Sequence, residues 1–187
     1  MILASGSPQR RAILEQLGLE FTVAVSGVEE LEQGPAAEVA LENARRKALA
    51  VAGPLASNGA TTVLAVDTVV ALDDRLYGKP ADRAEAAATL RALAGRRHQV
   101  LSGICVIEEG SERVATAVTT VAFRALSDAA IEWYVDTGEW RDRAGGYAIQ
   151  GRGAALVQSI DGDYLNVVGL PVATLLDLLP SLLFSAI

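Results

Sequence analysis

Residues 61–72 read TTVLAVDTVVAL, a run so rich in β-branched side chains that it predicts a long strand. It carries a single charge, Asp67. A carboxylate with apolar neighbours on both sides must either reach water at a strand end or have a partner that offsets its desolvation. The remainder of the chain therefore has to supply an opening or a partner at that point. Asp67 is accordingly a candidate functional group, and Thr68 beside it a candidate ligand contact.

The segments around this run alternate between helix and strand signals. ILASGSPQRRAILEQLG, residues 2–18, predicts a short strand, a turn of small residues, and a helix from Pro8 to Leu17, with Gly18 as its stop. FTVAV predicts a second strand, GVEELEQGP an acidic loop, and 36–52 a helix containing ENARRKA. After the central run, DDR predicts a hairpin turn into LYGKP. DRAEAAATLRALAG predicts a helix closed by glycine, and HQVLSGICVIEE and RVATAVTTVAFRAL two strands joined at Gly110-Ser111. Ser127 is an N-cap for a short helix ending near Gly138. The glycine-rich remainder predicts a loop, a strand at AALVQSI, a turn and a terminal helix. No repeat or linker interrupts this order, so 1–187 is expected to form one α/β domain with parallel and antiparallel strands in one sheet.

Bulk properties narrow the function classes. A net charge of −7 argues against a general nucleic-acid binder, which would carry a basic face. It leaves nucleotides open, because distant charges are screened over about 8 Å and local cations decide. Cys105 is the single cysteine, so no internal disulfide can form, and a reducing, cytoplasmic setting is expected. The opening residues read as part of the fold rather than as a targeting segment. LPVATLLDLLPSLLFSAI at the C-terminus is interrupted by Asp177 and Pro180 and falls short of the roughly 20 apolar residues of a membrane span. It is expected to be a packed core helix, with no membrane partner.

Several local patterns could carry chemistry. Ser5, Gly6, Ser7 and Pro8 lead into a helix N-terminus, where free N–H groups and the helix dipole favour an anion, and Arg10 one turn in could grip phosphate bidentately. Asn43 and Lys47 are four apart and share a helix face, whereas Glu42 and Lys47 are five apart and do not. Glu30 lies in the acidic loop, Lys79 in the turn YGKP, and Gln150, whose carboxamide suits a base edge, in GGYAIQG. YGKP lacks the spacing and the following Ser/Thr of a P-loop. His98 is the only histidine and reads as structural, which removes a His-based metal site. With Cys105 in an apolar strand, a Cys–His nucleophilic pair is removed too, leaving hard-cation chemistry through carboxylates.

Six blocks, LASGSPQR, VDTVV, GKP, GRRHQVLSG, DRAGGYAIQG and GDYLNVVGLP, in this order and spacing, resemble the Maf family of nucleoside triphosphate pyrophosphatases over nearly the whole chain. The resemblance implies a bent mixed β-sheet flanked by helices, with a cleft between two lobes, as in inosine triphosphate pyrophosphatases. It implies hydrolysis of the α–β phosphate bond of dTTP, UTP and modified uridine triphosphates to the monophosphate and pyrophosphate, a house-cleaning of nucleotide pools. Thr68 after Asp67, and Gln150 in YAIQG, point to that subgroup. A 7-methyl-GTP pyrophosphatase of the sister subgroup and a non-catalytic nucleotide-binding regulator of cell division are the alternatives.

By the same resemblance, Asp67, Lys47 and Lys79 are the expected catalytic residues, and Ser5, Ser7, Arg10, Thr68 and Gln150 the expected substrate contacts. Glu30 and Asp67 would hold Mg²⁺ or Mn²⁺. Glu42 joins them as a third metal candidate because ENARRKA looks like the inosine triphosphate pyrophosphatases. Gln9 stands where the family commonly has an arginine. A homodimer is expected.

Overall fold

The structure is a computed structural model and describes residues 1–55 and 61–184. In chain order its elements are β1 (Ile2–Leu3), α1 (Pro8–Gln16), β2 (Thr22–Val23), α2 (Ala36–Ala52), β3 (Val63–Leu72), β4 (Arg75–Tyr77) and α3 (Arg83–Leu93). There follow β5 (Arg97–Glu108), β6 (Ser111–Phe123), α4 (Asp128–Asp136), β7 (Val157–Asp161), α5 (Tyr164–Val168), α6 (Val172–Leu178) and α7 (Ser181–Phe184). All seven strands form one sheet in the order β2-β1-β3-β5-β6-β7, with β4 also paired to β3.

The apolar run is β3, and its continuity has a simple cause, since side chains alternate between faces of a strand and both faces of this one are covered. Val63 and Ala65 pack with Cys105 and Ile107 against Ala44, Ala48 and Val51 of α2. Leu64 and Val66 point the other way, into a core with Ile13 and Leu14 of α1 and Leu175 of α6. From Val70 onward the strand joins a third core, with Leu90 and Leu93 of α3, Ile131 and Tyr134 of α4, and Phe123. The cores thus divide the molecule into two lobes, and the division crosses β3 between Val66 and Val70.

The edge of β3 shows the same division. One edge pairs with β5 throughout, from Val63↔Ile107 to Ala71↔Gln99. On the other edge, β1 pairs in parallel at Val63 and Leu64, and β4 pairs antiparallel from Val70 to Leu72. The chain of β1 diverges at Ala4, so on this edge the stretch around Asp67 and Thr68 has no strand beside it and opens as a cleft. The opening lies mid-strand rather than at the strand end.

The Ser127 cap falls where the sequence places it, and the structure adds two more. Ser7, Asp82 and Ser127 each accept a backbone N–H of the helix they precede, and Pro8 takes the first helical position of α1. The β5–β6 turn lies at Glu109–Gly110, both left-handed (φ 51° and 79°), one residue earlier than the expected Gly110-Ser111 joint. Four expectations need correction. AALVQSI is a strand only from Val157, because its first three residues belong to the 3-10 helix Arg152–Leu156. FTVAV yields only the two-residue β2. The turn after β7 contains α5. The single terminal helix is two short ones, because Pro180 lacks the N–H to continue α6, and its last expected residues, 185–187, lie outside the described ones. Among the described residues no helix is long and apolar enough to cross a membrane.

His98 is structural, as expected. It is buried on β5, its Nε2 lies 2.9 Å from the Tyr147 hydroxyl, and its ring meets Phe123 edge-on at 4.9 Å. Burial pushes its pKa down to about 4. An unfolded histidine titrates near 6.5, so below that pH the unfolded chain binds a proton that the folded chain refuses until about pH 4. Stability from this group is present above pH 6.5 and lost as pH falls towards 4. Urea unfolding should show about 2 kcal/mol of loss between pH 7 and pH 5 that disappears in His98→Gln; equal slopes for the two proteins would contradict this.

Candidate active site

Asp67 faces α2, and the approach of that helix is set by a glycine. Asp67 pairs in register with Gly103 of β5, and a Cβ on Gly103 would stand 2.3 Å from the Ala40 carbonyl oxygen. The missing side chain lets α2 lie on the sheet directly over Asp67. Asn43 and Lys47, on one face of α2, then reach it: Lys47 Nζ is 2.6 Å from Asp67 Oδ1, and Asn43 Nδ2 donates to Oδ2 at 3.1 Å. Lys47 also contacts Glu30 Oε1 at 2.5 Å, so one buried ammonium lies between two carboxylates. This is the partner that offsets the desolvation of Asp67.

Asn43 had drawn attention in the sequence only for its spacing from Lys47, yet it fastens the acidic loop. Its Oδ1 accepts the Leu31 N–H at 2.7 Å, and its Nδ2 donates to the Leu31 carbonyl at 3.0 Å. Glu30 is thereby held next to Lys47. Asn43→Leu should lower unfolding free energy by about 2 kcal/mol, since the Leu31 backbone groups lose their partners. Urea denaturation measures this, and a change below about 0.5 kcal/mol would contradict it.

Thr68 points to the opposite face, towards α1. Arg10 Nη2 donates to its hydroxyl at 3.0 Å, Nη1 donates to Ser5 Oγ at 2.9 Å, and Nε donates to the Gly169 carbonyl at 2.8 Å. Ser102 Oγ lies 2.9 Å from Thr68 Oγ1. The guanidinium thus ties the first turn to VVGLP, and only its remaining N–H groups are left for a ligand. Burial pushes Arg10 below its usual value, while Asp67 and Glu30 pull it back up. Ser7 caps α1 and donates to Gln9 Oε1 at 3.0 Å, so the residue in the family's usual arginine position supports the turn.

A cavity of about 870 Å³ fills the cleft and is lined by Ser5, Ser7, Arg10, Glu30, Lys47, Asp67, Thr68, Lys79 and Gln150, together with residues of all the surrounding elements. That volume is within the range of small-molecule sites. Lys79 and Gln150 are exposed at its rim, and among the described residues neither side chain has a hydrogen-bond partner. Glu42 does not line the cavity. It sits outside on α2 with its oxygens on Arg46 at 3.0 Å and Arg45 at 3.2 Å, and Arg46 first, then Arg45, holds its carboxyl below the usual range.

Among the described residues no three His, Cys, Asp or Glu side chains converge. Glu30 and Asp67 do converge, on Lys47. Two carboxylates at a cavity of this size would suit a hard, oxygen-seeking cation such as Mg²⁺.

A mixed sheet split by a cleft, with two carboxylates on one wall and free polar groups at the rim, makes this an α/β protein with a site of small-molecule size. The chain matches the family model described as Maf-like protein over residues 1–182, and it belongs to the Maf family. It is 48% identical over 180 residues to the dTTP/UTP pyrophosphatase of Deinococcus radiodurans, covering 96% of this chain and 91% of the relative. The dTTP/UTP pyrophosphatase of Symbiobacterium thermophilum is 50% identical over 174 residues (92% and 88%), and that of Pyrococcus furiosus 43% over 181 (96% and 93%). Among solved structures, the Staphylococcus aureus Ham1 protein aligns with 65% of this chain and 70% of its own at a TM-score of 0.47 and 19% identity.

Proposed function

We propose that the protein hydrolyses dTTP and UTP between the α and β phosphates, releasing the monophosphate and pyrophosphate and clearing unwanted pyrimidine triphosphates. The observation that carries this reading is the Glu30–Lys47–Asp67 cluster on the wall of a nucleotide-sized cavity, in a chain 43–50% identical to the dTTP/UTP pyrophosphatases named above.

In this reading Asp67 acts as an anion. Lys47 and Asn43 each occupy one position on its oxygens, which leaves lone pairs to accept a hydrogen bond from the attacking water and to fix its direction. Glu30 and Asp67 would hold a divalent cation, Mg²⁺ or Mn²⁺, which when bound neutralises phosphate charge and lowers the pKa of water. Lys79, free at the rim, stabilises charge that grows on the departing pyrophosphate, an interaction that strengthens towards the transition state. Gln150 offers both donor and acceptor to the pyrimidine edge. Thr68, its hydroxyl already engaged by Arg10 and Ser102, shapes the pocket through its backbone and methyl group.

A pyrophosphate assay with Mg²⁺ and a panel of dTTP, UTP, ATP and 7-methyl-GTP tests the proposal. dTTP and UTP should be turned over fastest. Faster turnover of 7-methyl-GTP would assign the sister activity, and binding without turnover would make the protein a regulator rather than an enzyme.

A further inference from the structure

Five cationic side chains line the cavity: Arg10, Lys47, Lys79, Arg141 and Arg143. Arg10 is committed to Ser5, Thr68 and Gly169, Lys47 to Glu30 and Asp67, and Arg141 lies over the Trp140 ring at 4.6 Å. Lys79 and Arg143 alone in this set have no hydrogen bond, ion pair or ring contact among the described residues. Arg143 is half-buried, and its Nε is fully buried with no acceptor. The guanidinium is thus anchored at the cavity wall by its half-buried stem with no internal counter-charge among the described residues, which leaves its outer N–H groups available to a ligand.

The backbone around Arg143 is held in an unusual way and is tied to the turn that carries Lys79. Asp142, immediately before it, is left-handed (φ 59°), a conformation that costs free energy in a non-glycine residue. The Gly145 N–H donates to the Gly78 carbonyl at 3.0 Å, joining this loop to the turn that carries Lys79. A Cβ on Gly145 would stand 2.9 Å from Val70 Cγ2, so only glycine lets the loop press against β3 at the lobe boundary. Asp142, adjacent in sequence, forms no ion pair with Arg143 among the described residues.

We infer that Arg143 is a second substrate contact, pairing with Lys79 to hold the pyrophosphate portion of the bound nucleotide. A guanidinium has donors only, and its planar fork matches phosphate oxygens; two free cations on linked turns therefore select an anionic group over a pyrimidine. The inference rests on the proposed reaction for the identity of the anion.

Calorimetric titration of the intact protein with inorganic pyrophosphate and Mg²⁺, and separately with dTMP, tests it. Arg143→Gln should weaken pyrophosphate binding at least about tenfold, the equivalent of about 1.4 kcal/mol, and leave dTMP affinity unchanged. Arg143→Lys, which keeps the charge but not the planar fork, should lose less affinity than the glutamine variant, and Arg143→Met, which keeps the apolar stem, should match the glutamine variant. Pyrophosphate affinity within twofold of the parent in both neutral variants would overturn the inference, as would equal losses for pyrophosphate and dTMP. If the parent releases no pyrophosphate from dTTP or UTP yet the tenfold loss is seen, the proposed reaction fails and the assignment of Arg143 stands.

Discussion

Asp67→Asn is expected to lower pyrophosphate release from dTTP by about 10³-fold while leaving the fold intact. The substitution keeps the shape of the side chain and removes its charge, and it turns one acceptor oxygen into a donor amide. That amide must face either Lys47 Nζ, now 2.6 Å from Oδ1, or Asn43 Nδ2, now 3.1 Å from Oδ2. Either arrangement sets donor against donor, so the group that directs water is both neutral and turned away. Lys47 keeps Glu30 as its counter-charge, which is why folding survives. Circular dichroism and a pyrophosphate assay decide it: a folded variant with rates within tenfold of the parent would remove Asp67 from the reaction.

Gly103→Ala has the second large effect, and it acts on structure first. Its new Cβ would stand 2.3 Å from the Ala40 carbonyl oxygen and 2.5 Å from Leu41 Cα, both main-chain atoms that cannot rotate away. α2 must lift from the sheet, at a cost of about 3 kcal/mol or more. For a chain of this size that lowers Tm by about 10 °C. Because α2 carries Asn43 and Lys47, activity should fall along with stability, even though Gly103 touches no ligand. A melting temperature within 2 °C of the parent, with full activity, would show that the helix is not held by this contact.

These two positions also mark what could be read from the sequence. Asp67 was legible because a lone carboxylate in a β-branched run is a conflict that local physics cannot resolve. The cap at Ser127 and the hairpin between β5 and β6 were legible because their signals are local. The partners of Asp67 were not, since Lys47 and Asn43 lie 20 and 24 residues away and meet it only after α2 docks on Gly103. A glycine within SGICV is a sign of close approach in a strand, but its sequence does not say what approaches. The cleft depends on β1 and β4 sharing one edge of β3, a non-local pairing with no local signature. The same holds for Arg10, whose bond to Gly169 spans 159 positions and leaves it less free for phosphate than its place in the first helical turn suggests. Glu42 misled through its neighbours: ENARRKA places two arginines within one turn of it, and they take both of its oxygens. Pro180, which broke the terminal helix, was visible as an interruption all along.

Phosphorus NMR of dTTP incubated with the protein and Mg²⁺ reads directly whether the cleft directs water to the bond between the α and β phosphates. Equal amounts of dTMP and pyrophosphate, appearing as the triphosphate signals vanish, are predicted. Resonances of dTDP and orthophosphate would place the cut at the other anhydride and contradict the account.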